Sequence, residues 1–180
     1  MTVVYVKRVK GEVKSLRLQR KRHSEEAREL LAFAVASEYG LSLSDYTEKR
    51  EEKGKPYLEG APFHYNLSHS GDYVVCALSD SRVGVDVEKI LPISVKVMRR
   101  FLGKAVFSPR EQMRLWTRYE SYGKMMGHGI PYPGGSEKEC FYREYTALDH
   151  YYITVCSEAD AFADSLVLVD DIGRMLPSGS

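Results

Sequence analysis

The stretch FHYNLSHSGDYVVCALSDSRVGVDVE, Phe63 to Glu88, decides how the rest of the chain is read. Asn66-Leu67-Ser68-His69-Ser70-Gly71 reads as a polar, turn-rich loop. Tyr73 to Leu78 is a short apolar run of strand type, and Asp80-Ser81-Arg82 is a turn. Val83 to Glu88 is a second strand, in which Val83, Val85 and Val87 alternate with Gly84, Asp86 and Glu88. Successive strand side chains point to opposite faces, so the valines share one face and the two acids the other. Carboxylates at i and i+2 stand close enough to hold one hard cation through oxygen. The same alternation also marks any half-exposed strand.

Downstream, Ser108-Pro109-Arg110-Glu111 opens a helix with a Ser cap, Pro at the first position and Glu at the third. It runs through Trp116 to Lys124 or beyond. Trp116, Glu120 and Lys124 at i, i+4 and i+8 share one face. Upstream, Ser24 is read as the cap of a helix to Tyr39, with Glu25 and Glu26 in its first turn. Ala27, Leu30, Leu31, Ala34 and Val35 form its apolar face, and Gly40 its stop. The basic cluster Arg20-Lys21-Arg22-His23 stands just before that cap, where a helix N-terminus suits phosphate. Equally it is a charged surface loop. Thr2 to Val6 reads as a strand and Val13 to Leu18 is ambiguous. Glu48 to Gly54 is a highly charged loop leading into Lys55-Pro56-Tyr57.

Ser94 to Leu102 is a second helical segment. Phe101 and Leu102, flanked by Arg99, Arg100 and Lys104, are either core or an apolar, basic patch that an acidic partner helix would meet. Gly127 to Ser136 reads as a flexible loop, Phe141 to Tyr145 and Tyr151 to Val155 as strands, and the segment after Asp170 as frayed.

These elements together resemble the 4'-phosphopantetheinyl transferase family, in its larger form that activates peptide and polyketide synthases. The resemblance rests on Gly54-Lys55-Pro56, Asn66-Leu67-Ser68-His69-Ser70, Gly84-Val85-Asp86-Val87-Glu88, and the helix from Trp116 through Glu120-Ser121 to Lys124. They occur in family order over roughly Arg20 to Lys124. The resemblance implies transfer of the 4'-phosphopantetheine group of coenzyme A to a serine of an apo acyl or peptidyl carrier protein, releasing 3',5'-ADP.

It implies Asp86, Glu88 and Glu120 as ligands of Mg²⁺, or Mn²⁺ in its place. It makes Asp86, Glu120 and Lys124 the catalytic residues, with Glu120 as base. It gives Arg20, His23, Lys55, Ser68, His69 and Lys124 to the coenzyme. One departure stands in the helix: the family lysine before the glutamate is Tyr119 here. A non-catalytic homologue that binds coenzyme A or a carrier protein is the alternative. A triad of Ser68, His69 and Asp72 is disfavoured because three neighbours in one loop cannot easily adopt a relay geometry.

The fold class expected is α+β. A faint repeat, residues 72–80 against 152–160, suggests two similar α+β halves, 1–90 and 91–180; the resemblance implies that they are related by a pseudo-two-fold, with the site between them. The net charge of +1 and the lack of a recognised motif argue against nucleic acid, although eight Lys/Arg against one acid in residues 1–22 give that end a basic character. No apolar run approaches a membrane span, no signal-peptide layout opens the chain, and cysteine is sparse. A cytoplasmic protein with reduced thiols is the simplest expectation, and two halves in one chain point to a monomer.

Overall fold

In the computed structural model, the described residues are 1–11, 15–102, 108–128, 139–170 and 174–176. The expected patch at Phe101 and Leu102 lies outside them as far as its side chains go, as does Lys104. So does most of the expected loop of residues 127–136.

Strand β1 (Val3–Arg8) is followed by helix α1 (Leu16–Tyr39), the hairpin β2 (Glu48–Arg50) and β3 (Pro56–Leu58), then β4 (His64–Ser70), β5 (Tyr73–Ser79) and β6 (Val83–Lys89). Helices α2 (Val95–Leu102) and α3 (Pro109–Met126) precede β7 (Phe141–Tyr145), β8 (Tyr151–Ser157) and β9 (Val167–Val169). The class is α+β, as expected. One sheet has the order β4-β5-β1-β9, the other β6-β8-β7. Strand β6 pairs antiparallel with β8. The chain therefore passes from one sheet to the other at the turn of Asp80–Arg82.

Alternation along the strands builds four layers. Val3 and Tyr5 of β1 and Val74, Cys76 and Leu78 of β5 face Leu30, Leu31, Ala34 and Val35 of α1. Their neighbours Val4, Val6, Val75 and Ala77 face the other way, onto Val83, Val85, Val87, Ile153 and Val155 of the second sheet. On that sheet's outer face, Tyr122 and Met125 of α3 cover Cys156. The expected valine face of β6 is the inner one, and Gly84, Asp86 and Glu88 turn toward α3. Among the described residues no helix is long and apolar enough to cross a membrane.

Three expectations are corrected. Helix α1 begins eight residues before Ser24, with Ser15 as cap, its side chain accepting from the Leu18 amide. Arg20 to His23 thus lie inside the helix rather than at its N-terminus. Leu, Arg, Gln and Lys are all good helix formers, so nothing in 16–23 interrupts it. Ser24 instead donates back to the Arg20 carbonyl, as serines inside helices do. The charged segment around Glu48 to Gly54 forms hairpin β2–β3, turning at Gly54 with φ +92°. The Asn66-to-Gly71 loop is strand β4 up to Ser70. Its polar residues are explained by what they bind.

Candidate active site

Strand β6 is an edge strand of its sheet, and alternate amides of an edge have no ladder partner. Here side chains of β4 supply one. The Val85 amide donates to Asn66 Oδ1 at 2.9 Å, the Val87 amide to Ser68 Oγ at 3.4 Å and the Lys89 amide to Ser70 Oγ at 3.3 Å. Asn66, Ser68 and Ser70 sit at i, i+2 and i+4, so one face of β4 carries all three oxygens. The pattern Asn-x-Ser-x-Ser is strand-compatible because short polar side chains here do the work of a neighbouring backbone.

The same hydroxyls serve the acids. Ser68 Oγ donates to Asp86 Oδ1 at 2.9 Å and Ser70 Oγ to Glu88 Oε2 at 2.7 Å. Lys124 reaches in from α3 and donates to Asp86 Oδ1 at 2.6 Å and to Ser68 Oγ at 2.8 Å. Ser68 thus gives its one proton to Asp86 and accepts from both Val87 and Lys124, which uses its hydroxyl fully. Helix α3 comes this close because of Gly84. A Cβ there would collide with the Ser121 carbonyl oxygen and the Met125 amide nitrogen.

Three carboxyls share this field. Asp86 is 2% exposed; burial raises its pKa, while Lys124 and Ser68 hold it back. Burial, then the Asp86 charge, raises Glu88. Glu120 is pushed up to about 7, first by burial and then by Asp86, with Glu88 adding and Lys124 opposing.

Among the described residues, no three His, Cys, Asp or Glu side chains form a ready-made metal cluster. The donor set nevertheless fits a hard divalent cation. Among the described residues, Asp86 Oδ2 is buried with no hydrogen-bond partner. All three acids offer oxygen, and a cation would relieve the repulsion that raises Glu88 and Glu120.

Beside this cluster His69 of β4 leans on His23 of α1, ring centroids 4.8 Å apart and planes 39° apart. His23 is 5% exposed, whereas Arg20, one turn earlier, is on the surface. His69 is held below the ordinary imidazole value by partial desolvation, then by His23, Lys124 and Arg20. Arg20, His23, His69 and Lys124 therefore line one edge of nitrogen donors alongside the acids.

Lys55 stands apart. The residue is 7% exposed, and its ammonium donates to the carbonyls of Val83 at 2.6 Å, Lys124 at 2.9 Å and Met125 at 3.3 Å. Asn66, Ser70 and Gly84 are positioning residues that a search for catalytic chemistry passes over. The spacing of short oxygen side chains along β4 was the available signal. A hollow beside Pro56 to Leu58 and Phe63 to Tyr65 includes none of the three acids.

Residues 9–81 match the family profile described as 4'-phosphopantetheinyl transferase, N-terminal. A 4'-phosphopantetheinyl transferase of Bacillus subtilis is 30% identical over 76% of this chain and 74% of its own length. The 4'-phosphopantetheinyl transferase Sfp of Bacillus subtilis strain 168 is 28% identical over 78% and 75%. The 4'-phosphopantetheinyl transferase AcpT of Salmonella typhimurium is 41% identical over a shorter stretch, 42% of this chain and 47% of that protein.

Proposed function

The chain belongs to the 4'-phosphopantetheinyl transferase family, and from that premise we propose that it moves the 4'-phosphopantetheine group of coenzyme A onto a serine of an apo acyl or peptidyl carrier protein. The carrier serine oxygen attacks the phosphorus that bears the pantetheine arm. The bond from that phosphorus to the bridging oxygen breaks, and 3',5'-ADP leaves. The observation that carries this reading is the buried Asp86 carboxyl, one oxygen held by Lys124 and Ser68 and the other without a hydrogen-bond partner among the described residues, with Glu88 two residues along β6 and Glu120 one turn before Lys124 on α3.

Asp86, Glu88 and Glu120 would hold Mg²⁺, or Mn²⁺ in its place, which would neutralise charge on the pyrophosphate. Glu120, with a carboxyl near 7, takes the serine proton. Lys124 balances charge on the departing ADP. Arg20, His23 and His69 offer donors to the coenzyme phosphates, His69 as donor in either charge state. Ser68 contributes to the coenzyme through the Lys124 ammonium that it holds, since its own hydroxyl is used within the protein.

We place the activity in the cytoplasm, in a monomer, with no nucleic-acid or membrane partner. Its two α+β halves are related by a pseudo-two-fold. Supporting the duplication, β4-β5-β1 and β7-β8-β6 follow the same path, a first strand, a helix, then an outer and a central strand. The site lies where β4 of one sheet meets β6 and α3 of the other.

The test is transfer of a fluorescent pantetheine arm from labelled coenzyme A to apo carrier proteins, with release of 3',5'-ADP. Mg²⁺-dependent labelling of a carrier serine is expected. Coenzyme binding without labelling, across acyl and peptidyl carriers, would replace this reading with a non-catalytic binding homologue.

A further inference from the structure

The last four carbonyls of a helix have no partner within it. In α3 every one is accounted for. The Gly123 carbonyl accepts from the amides of Gly127 at 2.8 Å and His128 at 3.2 Å. The Lys124 carbonyl accepts from Lys55 Nζ, the Met125 carbonyl from Lys55 Nζ and from Arg82 Nε at 2.6 Å, and the Met126 carbonyl from Arg82 Nη2 at 3.3 Å. Two cations thus cap the negative end of the helix, where positive charge is favoured.

Both are themselves fixed. Arg82 lies on the connection into β6 and makes a two-pronged pair with Glu51, Nη1 to Oε1 at 2.7 Å and Nη2 to Oε2 at 2.5 Å. A planar fork on a carboxylate fixes orientation as well as charge. Lys55 spends its third proton on the Val83 carbonyl, the first residue of β6. The turn that presents both Glu51 and Lys55 is closed by the Gly54 amide on the Glu51 carbonyl at 2.8 Å and the Glu51 amide on the Lys55 carbonyl at 2.9 Å. Glu51, Lys55 and Arg82 therefore bind the end of α3 to the start of β6. The first of these elements carries Glu120 and Lys124, the second Asp86 and Glu88.

We propose that the Lys55 ammonium is a positioning group rather than a donor to the coenzyme: with Arg82 and Glu51 it sets how far α3 extends along β6, and so where Glu120 and Lys124 stand relative to Asp86. This rests on the transferase reading for its kinetic consequence. The cap itself does not. Because the ammonium is spent on three carbonyls of the protein, removing it displaces the catalytic end of α3 while leaving Arg20, His23 and His69 in place.

The test uses the full chain carrying Lys55→Met, with coenzyme A affinity measured by calorimetry and kcat expressed per coenzyme-binding site well below Tm. A fall in kcat of about tenfold or more is expected, since small misplacements of reacting groups are costly. The coenzyme Kd should stay within roughly twofold of the parent. Lys55→Arg, which keeps a cation, should recover part of the loss. A coenzyme Kd weakened by roughly tenfold with kcat retained would make Lys55 a ligand contact and overturn the proposal. A lower Tm with unchanged kcat per site would reduce it to a stabilising residue and overturn it equally.

If Lys55→Met fails to accumulate, Glu51→Gln carries the test, with the same split expected and an unchanged kcat as the contrary result. Amide exchange at residues 124–128 should accelerate in either variant. That readout holds whether or not the parent transfers a pantetheine arm, so failure of the cap and failure of the transferase reading are told apart.

Discussion

The Lys124 ammonium and the buried Asp86 carboxylate meet at 2.6 Å, and the Ser68 hydroxyl is bonded to both. Only Asp86 Oδ1 takes part. Its other oxygen is buried and without a partner among the described residues, so the pair neutralises the aspartate without satisfying it. A group in that state costs stability unless something further binds it.

Asp86→Ala and Glu120→Gln are each expected to lower transfer at least about a hundredfold, as loss of transition-state charge stabilisation does. Far-ultraviolet circular dichroism should remain that of the parent. Turnover within a few-fold of normal in either variant would remove that residue from the reaction.

Lys124→Ala leaves Asp86 buried without its cation. With the lysine itself partly exposed, a loss of about 1–3 kcal/mol is expected in urea unfolding. The double variant with Asp86→Asn should recover most of that loss while remaining inactive, because the charge that needed a partner is gone.

The metal-free protein should lose stability as pH rises from about 4.5 to about 7. The Glu120 carboxyl has a folded value of about 7 against an ordinary 4.5. Across that window the folded state binds more protons than the unfolded one, so unfolding becomes easier with pH. Glu88 and Asp86 are raised too and act with the same sign. Melting temperatures at pH 5 and pH 7.5 measure the slope, which Glu120→Gln should flatten and added Mg²⁺ should reduce. An identical slope in Glu120→Gln would show that this carboxyl is not shifted.

Asn66→Ala leaves the Val85 amide buried and without its acceptor, and should cost about 1–3 kcal/mol. Gly84→Ala drives a methyl into the backbone of α3 and should cost at least as much, with loss of transfer. Both are read by urea unfolding, alongside carrier labelling for Gly84→Ala. A stable, active Gly84→Ala protein would mean that α3 can move away from β6 without penalty.

Much of this was legible in the residues. The valine face of β6 follows from strict alternation, and the start of α3 from Ser108-Pro109 with Glu111. The α1 apolar face was clear from its spacing, but not where the helix began. Residues 16–23 are helix formers without an apolar face of their own, so periodicity carried no signal there and Ser24 offered a false cap. Strand β4 was hidden for the opposite reason. Its polarity reads as a loop unless one knows that Asn66, Ser68 and Ser70 will be met by the amides of another strand. The fate of Lys55 was beyond local reading altogether, because its partners are 28 and about 70 residues away in the chain.

The polar stitching between β4 and β6 also bears on recognition. With its outward amides already engaged at Val85, Val87 and Lys89, β6 offers no free template on which an incoming segment could pair as a further strand. A partner that approaches along this border must therefore dock through side chains and shape rather than by adding a strand there.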